Sequence, residues 1–266
     1  MLFRSRETKV VSLICAGHFF SHFHMLLVPP LIPVLREVYG VGFTEMGFAI
    51  ACFSVASGFT QIPIGFLVDR YGARQILIAG LVLESLAIGL IGVFPFYGAL
   101  VALMIAGGLA NSVFHPADYT ILNVAVDKKR IGRIFSFHTF TGYLGDALGP
   151  VTVLMLASLF DWRVAMFLCG LAGLITAALM WANADLLEDS VAKNPGPAKA
   201  DAGKPKSGLA LLFSLPILMG LLFFAVMSIS NGGIRTFGVS ALHELDRKST
   251  RLNSSHSQQS RMPSSA

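Results

Sequence analysis

Seven long apolar runs set the terms for this chain. They cover residues 10–35, 46–68, 76–96, 97–126, 134–160, 164–182 and 209–240. Most reach the ~20 residues that carry a helix across a bilayer. None shows the two-residue alternation of a barrel strand, so these are membrane-spanning helices. A soluble α-helical core does not repeat such runs with so few charges. Charged residues make up 13% of the chain, against about 25% in a typical soluble domain. Disorder and a disulfide scaffold are excluded on the same ground. Cys15, Cys52 and Cys169 sit inside apolar runs, where they read as small core residues with neither a disulfide framework nor metal spacing. The first run is too long for a cleaved signal peptide, carries His18, His22 and His24, and is followed by further spans.

The net charge of +5 does not indicate nucleic-acid binding, because the basic residues lie in short loops between apolar runs. Their distribution gives an orientation. Arg4, Arg6, Lys9, Arg70, Arg74, Lys128, Lys129, Arg130, Arg133, Lys193, Lys199, Lys204 and Lys206 fall on one side, and only Arg36 and Arg163 on the other. By the positive-inside rule the N-terminus is cytoplasmic, and the expected location is the inner (plasma) membrane.

Composition divides the chain further. Residues 1–184 hold six spans. Residues 185–207, rich in Pro, Gly, Ala and Lys, read as a flexible cytoplasmic linker. Residues 208–245 begin a second half with one span. Residues 246–266 are polar, Ser-rich and unpatterned, and resemble vector or adapter read-through more than native sequence. They are expected to be disordered, a genuine polar tail being the alternative.

Between the second and third runs stands Gly65-Phe-Leu-Val-Asp69-Arg70-Tyr-Gly72-Ala-Arg74. Gly65 is expected to let two helix ends approach closely and Gly72 to permit a tight turn. Asp69 is expected to accept from a helix end or pair with an arginine, and Arg70 and Arg74 to hold the anionic membrane face. The string G-x-L-x-D-R-x-G-x-R, on a cytoplasmic loop after the second of six helices, resembles the signature loop of the major facilitator superfamily of transporters. The resemblance implies the N-terminal six-helix half of that all-α membrane fold plus a seventh helix, with this loop as a conformational gate. It also implies a chain cut after about seven of twelve helices. His18-Phe-Phe-Ser-His22-Phe-His24 in the first span, with Phe114-His115-Pro116-Ala117 in the fourth, resembles the fosmidomycin-resistance branch, whose members are proton-driven exporters. Two features depart from drug–proton antiporters. The fourth span lacks an arginine, and the Gly142, Gly145, Gly149, Pro150 pattern lacks its final glycines.

Ionisable groups inside spans are costly and usually face a cavity. At ~1.5 Å per residue, His22 and Asp146 fall at one depth, about 18 Å from their cytoplasmic helix starts. His18 and His22 share a helix face, and His24 points elsewhere. Asn111, His115 and Asp118 share a face of the fourth span, which Pro116 is expected to kink. His115, Asp118 and His138 lie in the cytoplasmic halves of their spans. For His22 two readings stand: a titrating group in a water-filled path, or a neutral histidine bonded across helices. For His24 the second is expected. Asp146 is read as a proton-coupling group, with Thr141 as the partner it would have in a purely packing role. The resemblance implies that the third helix is peripheral, so Glu84 is expected to have a structural or protonated role. Gln61, Thr139 and Thr141 are candidate cavity groups, and Asn231 and Arg235 belong to the second half.

The function expected is secondary active transport, with protons driving a small molecule outward and no cofactor. The fragment alone is expected to be inactive. A solute importer of the same fold is the first alternative. An intramembrane enzyme using the histidines with Asp146 or Asp118 is the second. It is disfavoured by the absence of H-E-x-x-H, of G-x-S-x-G and of a cysteine paired to a base. No metal site is expected, because no third ligand stands at metal spacing beside His18 and His22.

Overall fold

The computed structural model describes residues 5–187 and 213–259. The chain divides into one unit over Met1–Asp201 and a second over Ala202–Ala266. All regular structure among the described residues is helical. The first unit contains α1 (Ser5–Met25), α2 (Val28–Tyr39), α3 (Phe43–Tyr71), α4 (Ala73–Ile91), α5 (Tyr97–Asn111), α6 (Phe114–Ala125), α7 (Ile131–Leu159) and α8 (Trp162–Ala182). A short 3-10 turn, Ala184–Leu186, follows. The second unit contains α9 (Leu215–Gln259). Seven stretches are long and apolar enough to cross a membrane, and they coincide with the seven runs of the sequence.

The first and fourth spans are each broken into two helices, and proline chemistry places both breaks. A proline inside a helix removes one hydrogen bond and its ring meets the carbonyl four residues back. For Pro116 that residue is Ser112, where α5 ends. For Pro29 and Pro30 it is Met25 and Leu26, where α1 ends. The prolines then occupy the first turn of α2, where no N–H is needed. Pro63 and Pro150 lie inside α3 and α7 without ending them.

Packing in the first unit runs α1 along α7, α4 along α8, and α5 against both α3 and α4. Small residues make these approaches possible, as expected where apolar surface alone does not drive helices together. On α7, a Cβ at Gly142 would stand 2.8 Å from His18 Nε2, and one at Gly149 would stand 2.8 Å from the Phe23 carbonyl oxygen. A Cβ at Gly145 would collide with the Phe19 carbonyl. On α8, one at Gly170 would lie 2.6 Å from the Ser85 carbonyl oxygen. Val10, Ile14, Leu77, Leu81, Phe114, Ile121 and Met180 fill the buried interior. Outward faces are apolar and exposed, as Phe59, Phe66 and Ile62 of α3 and Leu179 and Trp181 of α8 illustrate.

In the second unit, α9 runs on to Gln259, so the composition break at Asp246 is not a helix end. No Gly or Pro stands between Asp246 and Gln259 to stop the helix. The remaining tail residues, 260–266, and most of the linker, 188–207, lie outside the described residues.

Candidate functional site

The site is built where α1 crosses α4, α6 and α7. The 100° advance per residue keeps His18 and His22 on one face of α1 and turns His24 away, and each of the three meets a carboxylate on a different helix. His22 Nδ1 lies 3.2 Å from Asp146 Oδ1 of α7. His24 Nδ1 lies 3.9 Å from Glu84 Oε2 of α4, while its Nε2 stands 3.2 Å from the Cys169 carbonyl oxygen of α8. His18 Nδ1 lies 3.4 Å from Asp118 Oδ2 of α6.

Asp118 also meets a second histidine. His138 Nε2 of α7 is 3.0 Å from the same Asp118 Oδ2, and the His138 and His18 rings stack with centroids 3.6 Å apart. His18, Asp118 and His138 are all buried. The His22–Asp146 pair differs, being 22% and 14% exposed. It is the only one of these carboxylate–histidine contacts among the described residues with both partners open to solvent. His115 completes the cluster, with its ring 5.4 Å from His18 and 6.5 Å from His22.

A cavity of about 270 Å³ opens beside His22. Ser21, Ser57, Gln61, Asn111 and His115 give it polar lining, and Met25, Phe53 and Phe114 give it apolar lining. Asn111 organises this wall. Its Nδ2 donates to Glu84 Oε1 at 3.1 Å and to the Ser21 carbonyl oxygen at 3.3 Å, and its Oδ1 accepts from Ser57 Oγ at 3.0 Å.

All seven residues expected to shape the cavity or its proton path therefore gather here: His18, His22, Asn111, His115, Asp118, His138 and Asp146. The helix breaks bring the fourth span's groups into register, since His115 and Asp118 sit in the first two turns of α6. The peripheral placement expected for Glu84 is corrected. Glu84 is fully buried and tied to both His24 and Asn111, because α4 packs in the interior against α5 and α8. Thr141 donates to the His138 carbonyl oxygen at 2.8 Å, and Asp146 meets His22 instead. Thr139 is exposed. Asn231 donates to the Met227 carbonyl within α9. Sequence reasoning missed Ser21 and Ser57. Serines inside spans at Glu84 and Asn111 depth were the available signal.

The loop between α3 and α4 is a tight turn on Gly72, whose φ of +93° is open to glycine and strained for other residues. Arg74 Nη1 donates to the Ala184 carbonyl oxygen at 3.1 Å, fastening this loop to the end of α8. Arg70 lies over the Tyr71 ring, 5.3 Å from its centroid, and Asp69 is exposed. The close approach expected at Gly65 is not made among the described residues, for a Cβ there would meet nothing within 4 Å. The end of α3 turns outward there, leaving Phe66 72% exposed.

The sequence profile of the Major Facilitator Superfamily matches residues 14–247. Among curated proteins, the chain is 24% identical over 226 residues to the fosmidomycin resistance protein of Escherichia coli (strain K12), covering 84% of this chain and 55% of that protein. It is 28% identical over 143 residues to the probable L-galactonate transporter of the same strain, covering 54% of this chain and 32% of that protein. It is 30% identical over 149 residues to probable anion transporter 5 of Arabidopsis thaliana, covering 56% and 34%. The chain thus spans between about a third and just over half of these relatives. Among solved structures, it resembles a bacterial homologue of the human lysosomal transporter Spinster in an inward-facing, unoccupied conformation. The TM-score is 0.65 at 12% identity, over 90% of this chain and 56% of that one.

Proposed function

Because the chain belongs to the Major Facilitator Superfamily, we propose that the whole protein is a proton-coupled secondary transporter exporting a small amphiphilic molecule. This chain supplies its N-terminal six-helix half and the start of the second. The observation that carries the reading is the His22–Asp146 pair. A carboxylate and an imidazole 3.2 Å apart, partly open and beside a cavity, form a site that takes up or releases a proton as its access changes. In secondary transporters such sites lie near the midplane, where broken helices of the two repeats meet, and the halves rock about them. The breaks in the first and fourth spans supply that arrangement. The mixed lining of the cavity suits a molecule with one polar and one apolar face. The resistance named for the E. coli relative supports the outward direction.

The Asp69–Arg74 turn acts as the conformational gate in this reading, and the basic-residue asymmetry supports a cytoplasmic N-terminus in the inner (plasma) membrane. A second reading is uptake of an organic anion. It rests on the polar donors His22, His115 and Asn111 lining the cavity and on the relatives named as L-galactonate and anion transporters. Reconstituting the whole protein in vesicles separates the two. Under an imposed pH gradient, export requires substrate to move against the proton flow, and symport requires it to move with it. Flux that ignores the gradient removes proton coupling altogether.

A further inference from the structure

We propose that His18, Asp118 and His138 form a binding site for a divalent transition-metal ion of the zinc and cobalt class. The inference stands on a different cluster from the His22–Asp146 pair and does not depend on the proposed transport reading. The expectation of no metal site rested on ligand spacing along one helix. The third and second ligands come instead from α6 and α7, where only the folded bundle brings them to α1.

The geometry is that of a three-ligand site. One donor atom from each residue lies within 4.8 Å of the others. Asp118 Oδ2 stands 3.0 Å from His138 Nε2 and 3.4 Å from His18 Nδ1. Around a tetrahedral ion with bonds of about 2.0–2.1 Å, neighbouring donors stand about 3.3 Å apart. Two imidazoles and one carboxylate are a donor set suited to zinc, cobalt, nickel and iron, and zinc sites of this composition keep a fourth position open. His115 lies nearby, its ring 5.4 Å from that of His18 and its Nδ1 buried without a hydrogen-bond partner.

A purely hydrogen-bonded cluster accounts for less of what is present. It uses the His138–Asp118 contact and leaves Asp118 Oδ1 and His18 Nδ1 buried with no hydrogen-bond partner. Both belong to side chains at most 3% exposed. Idle buried donors and acceptors are costly, and a buried carboxylate is stabilised by pairing with a cation or by coordinating a metal. An ion between the three residues turns the 3.4 Å approach of His18 Nδ1 to Asp118 Oδ2, which lacks hydrogen-bond geometry, into shared coordination and neutralises Asp118.

The test is cobalt spectroscopy on the full chain, purified in detergent without a histidine tag. His243→Gln and His256→Gln remove the histidines of the second unit. After treatment with a chelator, titration with Co²⁺ should give the visible d–d bands of a low-coordinate site, saturating at one ion per chain and lost on adding Zn²⁺. Asp118→Cys should keep the site and add a thiolate-to-cobalt charge-transfer band, a signature that no packing role produces. His138→Gln should weaken binding by about tenfold or more, since outer-shell partners alone command that much. His24→Gln, which removes an equally buried histidine elsewhere, should leave the bands unchanged, as should Asp146→Asn. A folded chain that gives no d–d bands overturns the proposal, as does an Asp118→Cys spectrum lacking the new band. Should Asp118→Cys fail to insert, X-ray absorption on the zinc-loaded chain decides. Two imidazoles in the first shell support the site, and a shell without imidazole overturns it.

Discussion

His22 Nδ1 of α1 lies 3.2 Å from Asp146 Oδ1 of α7, across an interface that Gly142, Gly145 and Gly149 keep thin enough for the two to meet. The two residues are 124 positions apart in sequence. Counted from the starts of their apolar runs, both are expected about 18 Å deep at ~1.5 Å per residue. Close approach makes them a pair, and its His22 member lines the cavity.

Asp146→Asn preserves size and removes the charge, so the whole protein should insert and fold normally. In reconstituted vesicles, pH-gradient-driven flux should fall by about tenfold or more, a loss that needs only ~1.4 kcal/mol at the coupling step. The dependence of flux on pH should flatten while substrate binding persists. Wild-type flux with an unchanged pH profile would remove Asp146 from the coupling role and leave the histidines to carry it.

Asn111→Ala removes one side chain and strands three partners, Glu84 Oε1, the Ser21 carbonyl and Ser57 Oγ. Leaving buried polar groups unpaired costs about 1–3 kcal/mol. Thermal unfolding in detergent should show a lowered Tm. Ser57→Ala, which strands only the Asn111 oxygen, should lower it less.

Gly145→Ala and Gly65→Ala test the two kinds of glycine. The first drives a methyl into the Phe19 backbone, and overpacking of this kind costs about 1–3 kcal/mol. It should separate α1 from α7, lower Tm and weaken the His22–Asp146 contact. The second adds a methyl to open space and should leave Tm unchanged. Equal effects from the two would contradict the packing described for α1 and α7.

Topology is open to single-cysteine labelling in a background where Cys15, Cys52 and Cys169 are replaced. Cysteines at the exposed Arg70, in the Asp69–Arg74 segment, and at Ser207, beyond α8, should both be shielded from an impermeant reagent added outside the cell. Labelling of either position from outside would reverse the orientation drawn from the basic residues.

The spans, their number and a bend at Pro116 were legible in the sequence because they are local properties, while the full breaks in the first and fourth spans were seen only in the structure. Apolar length decides whether a helix crosses a membrane. The ring of Pro116 decides that α5 ends at Asn111, and those of Pro29 and Pro30 decide the gap between α1 and α2. Gly72 was likewise readable as a turn. Depth followed from counting along single helices, which is why His22 and Asp146 were matched before any contact was known. Pairing was not readable, because it depends on how each helix is rotated about its axis and which neighbour it lies on. Glu84 looked peripheral until α4 was seen to pack inside, against α5 and α8, beside His24 and Asn111. Asp118 looked like one more cavity carboxylate until α6 and α7 set it between His18 and His138. The sequence by itself determined which groups enter the membrane and how deep. The tertiary structure alone decided which of them meet, since a few degrees of helix rotation and one glycine at a crossing choose a side chain's partner.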